Sequence, residues 1–563
     1  MKDESQIIKE RGAHFTPDYI AEFIVETTYG LIISAHDRIS VLDPSCGDGE
    51  LLVAAVRYLK NKGLCVDVYG VETDEPTLSL ARRRIEPLLD ECDTCNLYQA
   101  DFLSCQSEDD EQRLLDGQNE MPLIPKVDML IANPPYVRTQ VLGAEVAQHL
   151  SRKYKLSGKT DLYHAFFLNY IHFLKRDGAL GVITSNRYLY TKSGDQVRKH
   201  LHESYCIDAI FDLGDTKVFS AAVLPALLFA RPGNNDSHKT DCARIYEHFG
   251  DSRPCEDADL VDLLKRGKSG IYRLSERTFE LDFGHVRNTS FSKDPWILAS
   301  EKQEAWLDAV EHASKSRIGE LAKVRVGIKT TADNVFIKEK WGIEQEPLPE
   351  AEWLFPLISS DDATAWKLGI CPKRTILYPH YTTESGKRAV ADLSKYPKMK
   401  AYLDSHYEQL AGRSYVAKAG RKWYEIWVPQ DPSAWKNPKV VFPDISSNAR
   451  FFIDVDGFLV DGNCYWILPN RSDDIDLLYA ILGVANSSLM DSYHSLAFQN
   501  VLYSGKRRYL TQYVSNYPLP DLESKSCQKL ISYLRETIPS SESVDTGYVD
   551  ELVYEAFGVD PFE

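Results

Sequence analysis

The residues Asn133-Pro134-Pro135-Tyr136 follow an apolar run, Val127 to Ala132, that reads as a buried strand. Two successive prolines donate no ladder hydrogen bonds and hold the backbone extended, so the strand stops there and its last groups project from the sheet edge. The motif presents a carboxamide, a proline carbonyl and an aromatic ring at one strand end. Such a clamp suits a flat, amino-bearing ring, offering two acceptors for the amino hydrogens and a face for stacking. An amine conjugated to an aromatic ring is a poor nucleophile because its lone pair is delocalised. Drawing its hydrogens toward two acceptors turns the nitrogen toward tetrahedral geometry and frees that pair, so positioning and local electrostatics can carry a group transfer.

Other strand ends carry polar groups of a second kind. In "DPSCGDGELL", Asp43 to Leu52, Gly47 and Gly49 let the backbone turn tightly and approach a ligand, with Asp43, Pro44 and Cys46 beside them and a helix N-terminus following. A glycine loop of this kind is shared with dinucleotide binders and plain turns. Glu72, in "YGVETDE", stands where acidic residues hydrogen-bond ribose hydroxyls in nucleoside-binding α/β folds. Asp101, in "QADFL", offers an acceptor for an adenine amino group, and Phe102 a ring to pack on it. A polar pocket of methionine size, a ribose partner and an adenine partner in that order describe S-adenosylmethionine better than a nucleotide with phosphates.

These groups need a scaffold that brings strand ends together. The segments 38–45, 65–72, 96–102, 127–133, 178–185, 207–214 and 224–231 read as short apolar strands separated by helical patterns. That is the pattern of an α/β, mostly parallel, doubly wound sheet, whose ligands bind at the carboxyl ends of its strands. "RPGNNDSHKT" (231–240) reads as the exit from this domain. We expect a catalytic domain over 1–235, a connecting segment over 236–300, a β-containing domain over 301–523 and an amphipathic helical tail over 524–563.

Six segments in order, "HFTP" (14–17), "DPSCGDG" (43–49), "GVETD" (70–74), "ADFL" (100–103), "NPPY" (133–136) and "KTDLYHAFF" (159–167), resemble the motifs of amino-methylating DNA methyltransferases. Their order resembles the gamma class, in particular the TaqI-like N6-adenine enzymes. "VGIKTTADNVFI" (326–337) and "NPKVVFPDISSNARFFID" (437–454) resemble segments of the C-terminal specificity domain of that family. The resemblance implies a Rossmann-like class I methyltransferase domain, a C-terminal α+β DNA-recognition domain, S-adenosyl-L-methionine as cofactor and duplex DNA as partner. It further implies that Thr16 contacts the methionine carboxylate, that Tyr136 stacks on a flipped-out base and that Phe219 closes the opposite face. Thr16 also fits a plain helix N-cap, and Phe219 a core ring. Asn rather than Ser ahead of Pro-Pro-Tyr favours adenine over cytosine by the same resemblance.

The formal charge of −18 argues against an all-over polyanion-binding surface, yet the charges are unevenly placed. Residues 106–120 carry six acids and one arginine, and 541–563 seven acids and no Lys or Arg; 413–440 hold six cations against two acids, and 501–515 three against none. Arg421 and Lys422, and Lys506, Arg507 and Arg508, lie beside aromatic residues, an interleaving that suits a nucleic-acid face as well as a solvated charge run. Eleven cysteines without regular spacing indicate no disulfide framework, and Cys92-x-x-Cys95 lacks a second pair or histidines at ligand spacing, so no metal is expected. No segment reads as a signal peptide or a membrane span, so a cytoplasmic protein is expected. No cleavage domain is recognised, so a restriction endonuclease or another defence protein would be a separate chain. A protein glutamine methyltransferase using the same clamp, and a DNA-binding subunit whose methyltransferase fold is a scaffold, remain alternative readings.

Overall fold

The computed structural model describes residues 16–34, 36–108, 122–137, 144–156, 161–218, 224–234, 239–248, 255–287, 295–342, 347–369, 371–471, 474–499, 502, 506–540 and 543–562. The chain divides into two compact units, Met1–Glu304 and Ala305–Glu563.

The first unit begins with α1 (Asp18–Gly30), β1 (Arg38–Asp43), α2 (Glu50–Asn61), β2 (Cys65–Glu72), α3 (Glu75–Ile85) and β3 (Thr94–Gln99). β4 (Val127–Ala132), α4 (Ala144–Tyr154), α5 (Tyr163–Tyr170), β5 (Leu174–Ser185), α6 (Asp195–Ser204), β6 (Tyr205–Asp212) and β7 (Pro225–Pro232) follow. The seven strands expected from the apolar runs are all present. β1, β2, β3, β4 and β5 pair in parallel, while β7 runs antiparallel between β5 and β6.

Residues 236–300 are not a connecting segment. They supply β8 (Asp241–Glu247), β9 (Glu256–Asp257), β10 (Gly270–Leu274), β11 (Arg277–Arg287) and β12 (Ile297–Ala299), and the sheet runs β9-β10-β11-β8-β6-β7-β5-β4-β1-β2-β3, with β12 paired to β11. β11 has one half-exposed face and carries charges on it, so it lacks the unbroken apolar run that marks a central strand, whereas β8 is buried over Cys242–Ile245. β4 is the opposite case, with all six residues buried. Its one charged residue, Asp128, accepts hydrogen bonds from Ser40 N at 2.9 Å and Oγ at 2.6 Å and from Lys175 Nζ at 2.8 Å. Burial alone would raise this carboxyl, but the ammonium and the Ser40 donors hold it below the usual carboxylate range.

The chain order reverses at β1, which lies between β2 and β4. Val41 stands opposite Met129 and Leu42 opposite Leu130, so the ends of β1 and β4 open side by side. Such a switch point is where open α/β sheets leave a crevice for ligands.

The second unit contains β13 (Ala322–Val326), β14 (Ile337–Lys338), β15 (Leu354–Ile358), β16 (Trp366–Lys367), β17 (Arg374–Leu377), β18 (Lys439–Pro443), β19 (Phe452–Asp454), β20 (Leu459–Val460) and β21 (Cys464–Pro469). They form one sheet in the order β13-β21-β18-β19-β16 and another in the order β14-β17-β15-β20. Helices α7 (Ile475–Ala485), α8 (Ser488–Phe498), α9 (Lys525–Thr537) and α10 (Thr546–Phe557) complete it. α9 presents Cys527, Leu530, Ile531 and Leu534 inward at three- and four-residue spacing. No described helix is long and apolar enough to cross a membrane.

Cys92 is not a loop thiol. The start of β2 and the turn before β3 bring Cys65 and Cys92 together as a disulfide, with Cα atoms 5.7 Å apart, while Cys95 stays free.

Candidate active site

The glycine loop, Glu72, Thr16 and Asn133, singled out in the sequence, are joined by hydrogen bonds at the switch point. The Asp43 carboxylate, 2% exposed, accepts the Ser45 amide at 3.0 Å and so folds the loop back on the end of β1. Pro44 is buried next to it. Cys46, also buried, donates its amide to Val71 O at 2.9 Å, pinning the loop to β2. Gly47 and Gly49 have φ of +52° and +86°, the left-handed region that favours glycine. A Cβ on Gly47 would meet nothing within 4 Å, which leaves open backbone beside the loop, whereas one on Gly49 would lie 3.1 Å from Ala81 Cβ. Gly47 thus keeps a ligand face clear, and Gly49 lets α3 pack closely.

Glu72 ties the second strand end to the first. Its Oε2 accepts the Gly47 amide at 3.2 Å, and its Oε1 accepts the Thr73 and Asp74 amides at 2.8 and 2.9 Å. Burial, with the Glu72 charge nearby, pushes Asp43 up to about 8 despite its Ser45 hydrogen bond.

Asp101 is exposed at the end of β3, and its Oδ1 accepts the Leu103 amide at 3.0 Å. It borders a cleft of about 370 Å³ lined also by Leu103, Ser104, His149, Leu150 and Tyr154. One wall of this cleft is α4, held against Leu103 O by Lys153 Nζ at 2.7 Å. Sequence reading did not single out α4; its only signal is an amphipathic run between "NPPY" and "DLYHAFF". Phe102 does not open into the cleft. It is 1% exposed and packs on Phe166, Tyr170 and Phe173 at centroid distances of 5.4, 6.0 and 4.9 Å, while Leu103 takes the lining position.

At the end of β4, Asn133 is held at three points. Ser45 Oγ donates to its backbone oxygen at 3.3 Å, its Nδ2 donates to Thr16 Oγ1 at 3.1 Å, and Tyr136 OH donates to its Oδ1 at 2.7 Å. Thr16, at the entry to α1, is 5% exposed and makes no side-chain cap there. Tyr136 also meets Tyr163 edge to face at 6.5 Å, and burial raises its phenol well above the ordinary value. Pro134 is buried and Pro135 half-buried. The arrangement places a fixed carboxamide beside an acid-lined loop, geometry able to orient an amine toward an electrophile bound on that loop. Phe219, with His14, Phe15, Lys159 and Thr160 of the flanking motifs, lies outside the described residues.

The second-unit cations divide. Arg507 is ion-paired with Asp491, and Arg508 with Asp444 at 3.0 Å, because 507–508 pair as a short strand with Ile445–Ser446. Both are thus ion-paired within the unit, Arg508 staying partly exposed, and Lys506 is exposed beside them. Arg421 lies over the Trp427 ring at 5.0 Å and donates to the Ile426 and Trp427 carbonyls, and Lys422 is exposed.

The Eco57I restriction-modification methylase family matches residues 67–219, and the TaqI-like C-terminal specificity domain matches residues 390–519. Type II methyltransferase M.BanIII of Aneurinibacillus aneurinilyticus is 40% identical over 98% of each chain. The chain belongs to the type II restriction-modification methyltransferases. M.BstVI of Geobacillus stearothermophilus, 26% identical over 97% of this chain and 96% of its own, is a more distant relative. Among solved structures, the DrdV–DNA complex shares the fold, with a TM-score of 0.51 and 12% identity over 95% of this chain and 58% of that one. Membership makes S-adenosyl-L-methionine the methyl donor and DNA the substrate of this methyltransferase. The residues present fit that donor: Glu72, bonded to the loop, and Asp101 supply acidic groups at neighbouring strand ends that suit a cationic sulfonium, and Gly47 leaves room for it.

Proposed function

We propose that this methyltransferase modifies the N6 amine of a flipped-out adenine within a specific duplex sequence, protecting host DNA in a restriction-modification system whose endonuclease is a separate chain. The observation that carries the reading is Asn133, its carboxamide fixed by Thr16 and Tyr136 and its main-chain oxygen by Ser45, at the end of the strand next to the glycine loop.

In this reading Asn133 Oδ1 and the Pro134 carbonyl each accept one hydrogen of the adenine amine. An amide oxygen has two lone pairs, so Oδ1 can accept the amine while keeping the Tyr136 hydroxyl. Pro135 keeps the segment extended, and the Tyr136 ring stacks on the base, with Phe219 on its other face. Flipping costs a few kcal/mol, and stacking returns about 1–3 kcal/mol per ring. When bound, S-adenosylmethionine supplies an electrophilic methyl group. Thr16 and the loop of Asp43, Pro44, Cys46, Gly47 and Gly49 hold its methionine end, Glu72 its ribose and Asp101 its adenine. No general base is needed before transfer, because the amine gives up its proton once it has become cationic.

The test is to incubate unmethylated DNA with the protein and S-adenosylmethionine, hydrolyse it and analyse the nucleosides by mass spectrometry. N6-methyldeoxyadenosine is expected. N4-methyldeoxycytidine as the product would overturn the choice of base.

A further inference from the structure

We propose that the β-hairpin formed by His380–Thr382 and Arg388–Val390, with residues 421–430 beside it, is the face of the second unit that lies on duplex DNA; this rests on the reading of the chain as a site-specific DNA methyltransferase. The hairpin is antiparallel with tip residues 383–387. Thr383 N donates to Lys387 O at 2.8 Å, Lys387 N donates to Thr383 Oγ1 at 3.1 Å and Gly386 N donates to Thr383 O at 2.8 Å, so the tip is a closed turn. Lys387 and Arg388 are exposed on it. A two-stranded ribbon of this kind fits the major groove.

Between the hairpin and residues 427–431 lies a shallow cleft of about 550 Å³ lined by Gly386, Arg388, Arg421, Trp427, Gln430 and Asp431. Arg388 Nη1 donates to Gln430 O at 3.3 Å, which joins the tip to the far wall. Gln430 has φ of +64° and anchors that wall through Nε2 to Val326 O at 2.8 Å. Tyr415 packs on Trp427 at 5.0 Å, placing rings among the cations.

The deciding observation is electrostatic. The segments 380–390 and 421–430 carry four cations, Lys387, Arg388, Arg421 and Lys422, against two acids, Glu384 and Glu425, in a chain of formal charge −18. Among the described residues, no carboxylate lies within ion-pair distance of Lys387, Arg388, Arg421 or Lys422, unlike Arg507 and Arg508. Four cations outside ion-pair distance of any described carboxylate, with Asp392 and Glu425 acting on Lys422 only at longer range, leave a positive field that a phosphate backbone would fill.

The test measures binding of the full-length protein to a fluorescent duplex by anisotropy over a salt series, with S-adenosylmethionine affinity as a check on folding. Lys387→Ala/Arg388→Ala and Arg388→Ala/Lys422→Ala should each raise Kd about tenfold and lower the slope of log K against log salt by about 0.9 per cation removed. Arg508→Ala should leave the slope unchanged. Wild-type Kd and slope in both double variants, with duplex binding intact, would overturn this face. Failure of the wild-type protein to bind duplex would overturn the DNA-methyltransferase reading, and the inference with it.

Discussion

The strand-end crevice of the first unit and the cationic segments of the second obey different rules. In the crevice, topology does the grouping. β1 and β4 are neighbours, so residues just past their ends must meet, and Ser45 Oγ reaches Asn133 O across 88 positions. In the second unit, closeness in sequence groups nothing. Of the six cations between 413 and 440, Arg413 is buried and donates to the Thr330, Trp423 and Glu425 carbonyls, and Lys439 is fully buried against Asp454 at 2.6 Å. A charge run reports composition, whereas a strand end reports position.

If that contrast is right, substitutions in the crevice should separate cleanly by step. Asn133→Ala should lower kcat by at least about a thousandfold, the scale of losing a preorganised acceptor in a water-poor site, with cofactor affinity nearly kept. Isothermal titration with S-adenosylmethionine and a methyl-transfer assay check the two halves. Asp101→Ala should weaken cofactor binding about tenfold or more, the loss of a charge-assisted hydrogen bond, and leave kcat at saturating cofactor within about threefold. An unchanged dissociation constant would remove Asp101 from the adenine subsite. Tyr136→Phe keeps the ring and removes the hydroxyl from Asn133 Oδ1, so activity should fall no more than about threefold, whereas Tyr136→Ala should cost about 10–100-fold in kcat/KM.

A smaller effect concerns pH. Burial pushes Asp43 up to about 8 in the fold from its ordinary 3.8, so between those values the folded chain holds a proton that the unfolded chain has lost. Stability from this group therefore falls as pH rises across that window. Asp43→Asn should flatten that decline and raise Tm near pH 7.5 by a few degrees, as scanning fluorimetry over a pH series would report. The smallest effect is expected at Arg508→Ala, which breaks a partly exposed ion pair worth no more than about 1 kcal/mol. Denaturant unfolding measures it.

The same contrast explains what the sequence disclosed. The seven apolar strands and the polar groups at their ends were readable because a buried parallel sheet demands continuous apolar runs and a fixed alternation with helices. β11 was not, because a strand with one half-exposed face carries charges on it, as "RTFELDFGHVR" does, and β9 and β12, at two and three residues, are too short to show a pattern. Residue types marked Asn133, Tyr136 and Thr16, yet not that they bond to one another: that depends on side-chain directions converging from α1, β4 and the segment after it. Phe102 was readable as an aromatic, but its neighbours Phe166, Tyr170 and Phe173 come from a helix and turn more than 60 residues on. Cys92 was matched with Cys95 by spacing, whereas the pairing of β2 with β3 gives it Cys65.

The central claim is that Asn133 directs methyl transfer to adenine N6 at a defined sequence. The most direct measurement is single-molecule sequencing of unmethylated genomic DNA treated with S-adenosylmethionine and either wild-type protein or Asn133→Ala. The account predicts N6-methyladenine at one recurring motif with the wild type and none with the variant. Methylated cytosine, or equal adenine methylation by the variant, would contradict it.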